Sequence, residues 1–355
     1  MIKRRKTKEI KIGNKIIGGE HPILVQSMTN TYTGDLKSTL NQIKKLQDEG
    51  CEIIRVAVPD NKSCENVSLL KKQIDIPLVA DIHYDYRMAI RSIENGADKI
   101  RINPGNIGKK ENVKKIVKKA KDRGIPIRIG VNAGSLEKEL WEKYGGPLPE
   151  ALVESTLKNI EMVESFGFND IVVSIKSSSI LDTIEANRMI ADKMDYPIHL
   201  GITEAGPLMS GTTRSAAGIG ILLYMGIGDT IRVSLTDKPE KEIGVAFEIL
   251  QSLELRHTRP TIISCPTCGR MEIDLIPIVK EVEKRIHNIR QNIKIAIMGC
   301  VVNGPGEARV ADVGIAGGKG VGVVFRKGKI IKNVKEEQLL DALMEEIERI
   351  VEHKK

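Results

Sequence analysis

Short apolar segments rich in β-branched residues alternate with longer stretches in which apolar positions recur every three or four residues, and the rhythm repeats along most of the chain. The strands it predicts are "ILVQSMT" (23–29), "IIRVAV" (53–58), "PLVADIH" (77–83), "KIRINPG" (99–105), "PIRIGVN" (126–132), "DIVVSIKSS" (170–178), "PIHLGITE" (197–204) and "TIRVSLT" (230–236). Between them, stretches such as "DLKSTLNQIKKLQDEG" and "YRMAIRSIENGAD" read as helices closed by Gly near the end. Eight strand-then-helix units predict an α/β fold, a (β/α)8 TIM barrel. A doubly wound open sheet is the alternative, because a count of units does not show closure. The lead-in "KEIKIGNKIIGG" reads as a hairpin about Gly13-Asn14 that covers the barrel floor. A long insertion after the fifth strand, "GSLEKELWEKYGGPLPEALVEST", holds the only Trp.

The rhythm breaks after "LELRHTRPTIISCPTC". A helix near 273–290 is followed by "IKIAIMG", a glycine-rich turn, "ARVADVGIAGG", "GVGVVFRKGKIIKN" and a last helix over 335–352. This predicts a small α+β domain, with the linker near Arg259-Pro260, so that residues 1–259 form the barrel and 260–355 the second domain.

At 355 residues, two domains or a barrel with an appendage is the expected scale. A hydrophobic content of 41% with 29% charged residues describes a soluble globular chain rather than a disordered one. Aromatic residues make up only 3%, so the core must be aliphatic, and stacking on single-stranded nucleic acid is disfavoured. The net charge of +8 owes much to runs such as "KKENVKKIVKKAKDRG", which read as a solvated helix face. The basic N-terminus lacks the apolar core of a signal peptide, and no apolar run reaches membrane length. A cytoplasmic protein without membrane or nucleic-acid partners is expected. Five cysteines are too few for a disulfide scaffold, and in a reducing compartment they point to metal binding or catalysis.

Alternate side chains of a strand share a face. Arg101 then shares a face with Asn103, Arg128 with Asn132, Ser174 with Lys176, and Arg232 with Ser234, while Arg55 sits between Ile54 and Val56. A charge inside a barrel strand is costly unless it is paired or aimed at a ligand. Matching acids are few, Asp81 and Glu204 being the evident ones. In a barrel the C-terminal strand ends converge on the face where active sites lie. Four guanidiniums and an ammonium there imply a strongly anionic small ligand, most simply a diphosphate, whose oxygens forked guanidiniums grip in pairs. His83 and His199 are either polar contacts at this mouth or hydrogen-bonded core histidines.

In the second domain "SCPTCGR" supplies Cys265 and Cys268, and "GCVVNGPGEA" supplies Cys300 and Glu307. A lone Cys-x-x-Cys signals metal or redox chemistry, commonly zinc. Structural zinc needs a fourth ligand, and the domain has no further cysteine. Three thiolates at glycine-rich turns suit a [4Fe–4S] cluster with one special iron. Glu307 is then a candidate oxygen donor, a harder base that substrate oxygen could displace; otherwise it is a solvated loop residue or a cap. Cys51 and Cys64 belong to the barrel and read as ordinary thiols. A zinc-stabilised interaction module on a redox-silent barrel, and a non-redox phosphate-handling barrel with a structural metal, are the competing readings. The absence of a Cys-x-x-x-Cys-x-x-Cys run argues against a radical S-adenosylmethionine enzyme.

Taken together, "VQSMTNT", "KIRINPGN", "IRIGVNAGSL", "SIKSS", "LGITEAG", "IRVSLT", "SCPTCGR" and "CVVNGPGEA" resemble the bacterial 4-hydroxy-3-methylbut-2-enyl diphosphate synthases of the non-mevalonate isoprenoid pathway. The resemblance spans nearly the whole chain, in the two-domain form without the large middle insertion of plant-type members. It implies an iron–sulfur oxidoreductase that opens the ring of 2-C-methyl-D-erythritol 2,4-cyclodiphosphate to give (E)-4-hydroxy-3-methylbut-2-enyl diphosphate, with two electrons in and water out. Reduced flavodoxin or ferredoxin is the implied donor. The implied assembly is a homodimer in which the barrel of one chain meets the cluster domain of the other. One [4Fe–4S] cluster per chain would be held by Cys265, Cys268, Cys300 and Glu307. Arg55, Arg101, Asn103, Arg128, Asn132, Lys176, Arg232 and Ser234 match the diphosphate-binding positions. Glu204 is the candidate proton donor for the departing hydroxyl, since loss as water needs protonation. Asp81, His83 and His199 are further candidates.

Overall fold

The hairpin at the start of the chain forms as the Gly13-Asn14 turn requires: β1 (Ile10–Ile12) pairs antiparallel with β2 (Lys15–Ile17), and Gly13 adopts a left-handed φ of 55°. The computed structural model describes residues 2–300 and 308–353, which divide into the units Met1–Arg256 and His257–Lys355.

In the first unit eight parallel strands follow the hairpin: β3 (Leu24–Met28), β4 (Ile53–Ala57), β5 (Leu78–Asp81), β6 (Lys99–Ile102), β7 (Ile127–Asn132), β8 (Ile171–Lys176), β9 (His199–Leu200) and β10 (Thr230–Ile231). They are ordered β8-β7-β6-β5-β4-β3-β10-β9, and a parallel bridge between Val173 and Ile198 joins the two ends. The sheet is a barrel, not an open doubly wound sheet. Outward residues such as Ile54, Val56, Ile100, Ile102, Ile129 and Val173 pack with the surrounding helices in one aliphatic core. Burying each such side chain contributes about 1.5–3 kcal/mol. Inward residues Leu24, Ile53, Val79 and Val172 meet Ile10, Ile12 and Ile17 of the hairpin, which closes the barrel floor with an apolar layer. Several helices start on acidic caps at strand exits: Asp35 accepts from Ser38 N, Asp60 from Ser63 N and Asp85 from Arg87 N.

All eight barrel strands are shorter than the apolar pattern predicts, β9 and β10 most of all. Beyond Leu200 there is no room for a side chain, since a Cβ on Gly201 would lie 2.7 Å from the Arg232 carbonyl oxygen. The "KIRINPG" strand stops at Ile102 because Asn103 caps the one-turn helix Pro104–Ile107, with Pro at its first position. The insertion after β7 folds into the helices Lys138–Tyr144 and Pro149–Glu164, with Trp141 half exposed.

The second unit is a five-stranded mixed sheet. The run "TIIS", which the pattern left outside any element, forms β11 (Thr261–Ser264), parallel to β12 (Lys294–Met298) and followed in the sheet by β13 (Val313–Gly318). β14 (Val321–Arg326) and β15 (Lys329–Lys335) complete it antiparallel. Ile295, Ile297, Val313 and Ile315 form its core with Val282 and Ile286 of the helix Leu275–Ile286 and with Leu339, Leu343 and Ile347 of the helix Leu339–His353.

Candidate functional site

The inward side chains at the C-terminal ends of the barrel strands surround a cavity of about 240 Å³. Arg55 comes from β4, Asp81 from β5, Arg101 from β6, Arg128 and Asn132 from β7, and Ser174 and Lys176 from β8. Arg232 and Ser234, just beyond β10, complete the wall with Met28, His83 and Thr203. The two-residue alternation gathers these residues because register partners in parallel strands face the same way: Asp81 lies beside Arg101, Arg101 beside Arg128, and Asn132 beside Lys176.

Asp81 organises one side. It is nearly sealed from solvent, with Oδ1 accepting from Arg101 Nη1 at 3.1 Å. Its Oδ2 lies 3.7 Å from both Arg55 Nε and His83 Nε2. Burial by itself would raise this carboxyl, but Arg55, Arg101 and Arg128 outweigh it and hold it at about 2. Arg55 also donates to the Met28 sulfur, with Nη2 2.7 Å away, and burial pulls its guanidinium down to about 10. Arg232, whose Nη1 lies 3.8 Å from the same sulfur, has its Nε 3.4 Å from Glu242 Oε2. Arg128 is 1% exposed, and its Nε and Nη1 have no hydrogen-bond partner among the described residues. Burial first, and then Arg128 and Arg55, push the buried Lys176 well below the usual lysine range. Four guanidiniums and the Lys176 amine thus meet two carboxylates, a surplus of positive charge that a bound anion would offset.

Three of the candidates lie outside this lining. Asn103 is buried beside the cavity, its Oδ1 accepting from Gly105 N and its Nδ2 donating to Ser135 Oγ, both at 3.1 Å. His199 is sealed inside the barrel with Nδ1 2.8 Å from Thr230 Oγ1. Glu204 is exposed on the loop after β9, next to the lining residue Thr203, in a left-handed conformation with φ 55°.

Sequence reasoning missed Glu242, whose carboxylate enters from the helix Pro239–Ser252 and binds Arg232, Ser27 Oγ and Leu235 N. Nothing in "PEKEIGVAF" separates it from Glu240. It also missed Lys99, although Lys99, Arg101 and Asn103 share one alternation. A larger groove of about 560 Å³ on the outer helices, near Leu208, Ala216 and Val245, is mostly apolar, with Thr212, Lys241, Glu248 and Ser252 also in its wall.

In the second unit the parallel pairing of β11 with β12 brings Cys265 and Cys300, each just beyond its strand, to the same C-terminal end of the sheet. Gly299 N donates to Cys265 Sγ at 3.2 Å, and a Cβ at Gly299 would lie 3.0 Å from Met271 Cγ. Cys268 is exposed, and the backbone N–H of Arg270, followed by its side chain, lowers the thiol's pKa. Glu307 lies outside the described residues. Among the described residues no three His, Cys, Asp or Glu side chains surround a single ion position. Cys51 and Cys64 are buried in the barrel core, where burial pushes the Cys51 thiol up to about 12.

The GcpE TIM-barrel domain matches residues 7–247, and the GcpE protein C-terminal domain matches residues 261–349. The chain belongs to the GcpE family. It is an enzyme. Its relatives include a protein of Caldanaerobacter subterraneus subsp. tengcongensis that is 64% identical over 352 residues, covering 99% of each chain. One from Clostridium tetani is 57% identical over 347 residues, covering 98% of this chain and 99% of its own. Both are named 4-hydroxy-3-methylbut-2-en-1-yl diphosphate synthase (flavodoxin). Among solved structures, a dihydropteroate synthase from Stenotrophomonas maltophilia has a TM-score of 0.52 at 12% identity, covering 70% of this chain and 98% of its own. That likeness concerns the barrel fold alone. No helix among the described residues is long and apolar enough to cross a membrane.

Proposed function

We propose that this chain is a cytoplasmic flavodoxin- or ferredoxin-dependent 4-hydroxy-3-methylbut-2-enyl diphosphate synthase. It converts 2-C-methyl-D-erythritol 2,4-cyclodiphosphate to (E)-4-hydroxy-3-methylbut-2-enyl diphosphate, two electrons entering and water leaving. The observation that carries the reading is the cavity of Arg55, Arg101, Arg128, Lys176 and Arg232, whose surplus positive charge faces a space that suits a small diphosphate. The names of the relatives support the same substrate class and donor.

In this reading Arg101 and Arg128 grip phosphate oxygens, Asn132 and Ser234 orient them, and Asp81 fixes the fork of Arg101 without neutralising the mouth. The charge left on the diphosphate as the ring opens falls where cations already stand, so stabilisation costs little reorganisation. Asn103 supports the wall from behind through Ser135. Glu204 supplies the proton to the leaving hydroxyl.

The soft sulfur donors at the C-terminal ends of β11 and β12, with the Gly299 N–H directed at one of them, fit an iron–sulfur group. Cys265, Cys268 and Cys300 would hold one [4Fe–4S] cluster per chain, with Glu307 as the oxygen donor. That group supplies single electrons at a reducing potential. The active assembly is a homodimer, as the resemblance in motifs implies.

Iron and acid-labile sulfide analysis of anaerobically purified protein, followed by assay with the cyclic diphosphate and a chemical reductant, tests the reading. Iron and sulfide in equal amounts, with consumption of the cyclic compound, are expected. Colourless protein carrying zinc that leaves the compound untouched would overturn it.

A further inference from the structure

Below the phosphate cavity the barrel interior holds a second polar layer that the proposed reaction does not use. Lys99, on β6, is 0% exposed, and its Nζ has no hydrogen-bond partner among the described residues. Gln26, on β3, is nearly sealed, with neither amide atom partnered among the described residues, and His199 leaves its Nε2 unpartnered. Val79, the register partner of Lys99, forms the apolar floor with Leu24, Val172 and the hairpin isoleucines. The charges that act most strongly on Lys99 are Arg128 from β7 and Arg55 from β4, both cations, and His199 faces it from β9. Asp81 is engaged by Arg101, Arg55 and His83, and Glu242 by Arg232, so neither carboxylate is left to serve Lys99.

An ammonium in this position would be desolvated, unbonded and repelled from above. Arginines in such a cluster keep their protons, whereas a buried lysine amine releases its proton readily. The arrival of a diphosphate over Arg128 and Arg55 cancels the potential that drives the proton off.

We propose that Lys99 is a charge-compensating residue beneath the diphosphate site, an uncharged amine when the cavity is empty that takes up a proton when a diphosphate occupies it. The inference rests on the reading of the cavity as a diphosphate site and deepens it. Lys99 acts through Arg128, so it is a positioning residue and not a catalytic one. Burial and the two arginines lower its pKa well below the usual lysine range, in agreement. The device also suits the proposed chemistry. Each phosphorus of a cyclic diphosphate carries a single ionised oxygen, whereas ring opening frees a further one, so the site must follow a growing negative charge.

The test is calorimetric titration of the full-length protein with the cyclic diphosphate and no reductant, in two buffers of different ionisation enthalpy. This ligand does not turn over under those conditions and holds no proton of its own near neutral pH. Wild type is expected to take up as much as about one proton per chain at about pH 7.5, with affinity weakening as pH rises. Lys99→Met, close in volume and free of the buried amine, is expected to reduce that uptake while still binding, the remainder belonging to Lys176, whose pKa burial and the same arginines lower. Lys99→Gln repeats the test should the first variant fold poorly. His199→Gln is expected to keep the uptake, as the proton belongs to the amine. Binding without uptake, or uptake as large in Lys99→Met as in wild type, overturns the inference and leaves the diphosphate reading standing. No binding at all overturns that reading, and the inference with it.

Discussion

The guanidinium of Arg101 lies against the bare Cα of Gly130 on the neighbouring strand: a Cβ there would stand 2.6 Å from Nε and 3.0 Å from Nη2. Gly130 has no left-handed conformation to explain it. The glycine is a space through which the cation reaches Asp81. Gly130→Ala should therefore push Arg101 off its partner while the aliphatic core stays intact. An affinity loss for the cyclic diphosphate of about ten- to a hundredfold is expected, the scale of one charge-assisted hydrogen bond. Calorimetric titration measures it, and an affinity unchanged from wild type would remove Arg101 from the cradle.

Asp81 gives a stability prediction with a defined sign. Its carboxyl titrates at about 2 in the folded protein against an ordinary 3.8, so its contribution is complete above about pH 4 and is lost as the pH falls towards 2. Asp81→Asn leaves Arg55 and Arg101 without their counter-charge and should lower unfolding free energy by about 3 kcal/mol at neutral pH. Denaturant titrations across pH 2–7 should show the gap between variant and wild type closing only at the acid end. A gap that does not change with pH would mean that the ion pairs are not its source.

Arg128 sets stability against function. Its Nε and Nη1 are buried without partners among the described residues, so the empty site carries an uncompensated charge. Replacing such a charge by an apolar side chain of similar size is often neutral or stabilising by about 1–4 kcal/mol. Arg128→Met should thus melt no lower than wild type in the absence of ligand, yet bind the cyclic diphosphate at least tenfold more weakly. Thermal melts with and without the ligand separate the two effects; a variant that is stabilised by ligand as strongly as wild type contradicts the assignment.

Glu204 occupies left-handed backbone, which Gln tolerates no worse than Glu, so Glu204→Gln changes the acid and little else. Affinity for the cyclic diphosphate should stay within about twofold and turnover should fall about a hundredfold, the range of general acid catalysis. Unchanged turnover would assign the proton to another group.

The thiols divide by environment. Cys268 is exposed with its thiolate favoured by Arg270, whereas Cys64 is buried with its thiol pKa raised, chiefly by burial. Cys268→Ser should lose most of the bound iron and Cys64→Ser none, as measured by iron analysis of anaerobic protein. Equal iron content in both would exclude Cys268 as a ligand.

The eight strand centres and the cationic alternation could be read from the chain because both follow from local rules. A two-residue period places Arg101 inward whenever Ile100 and Ile102 face outward, whatever the strand pairs with. The same rule reached Asn132, Lys176, Arg232 and Ser234, and would have reached Lys99 had the alternation been followed one step back. Cys265 and Cys300 were readable as a pair of chemical donors from the turns that present them. Ring closure at Val173 and Ile198, the entry of Glu242 from a helix to meet Arg232, and the pairing of "TIIS" with β12 depended on the tertiary structure alone. So did the use of Asn103 as a cap and the sealing of His199 and Lys99 inside the barrel. Alternation tells which side of a strand a residue faces; which charges meet there, and whether water reaches them, is set by elements distant in the chain and brought together only when the core closes.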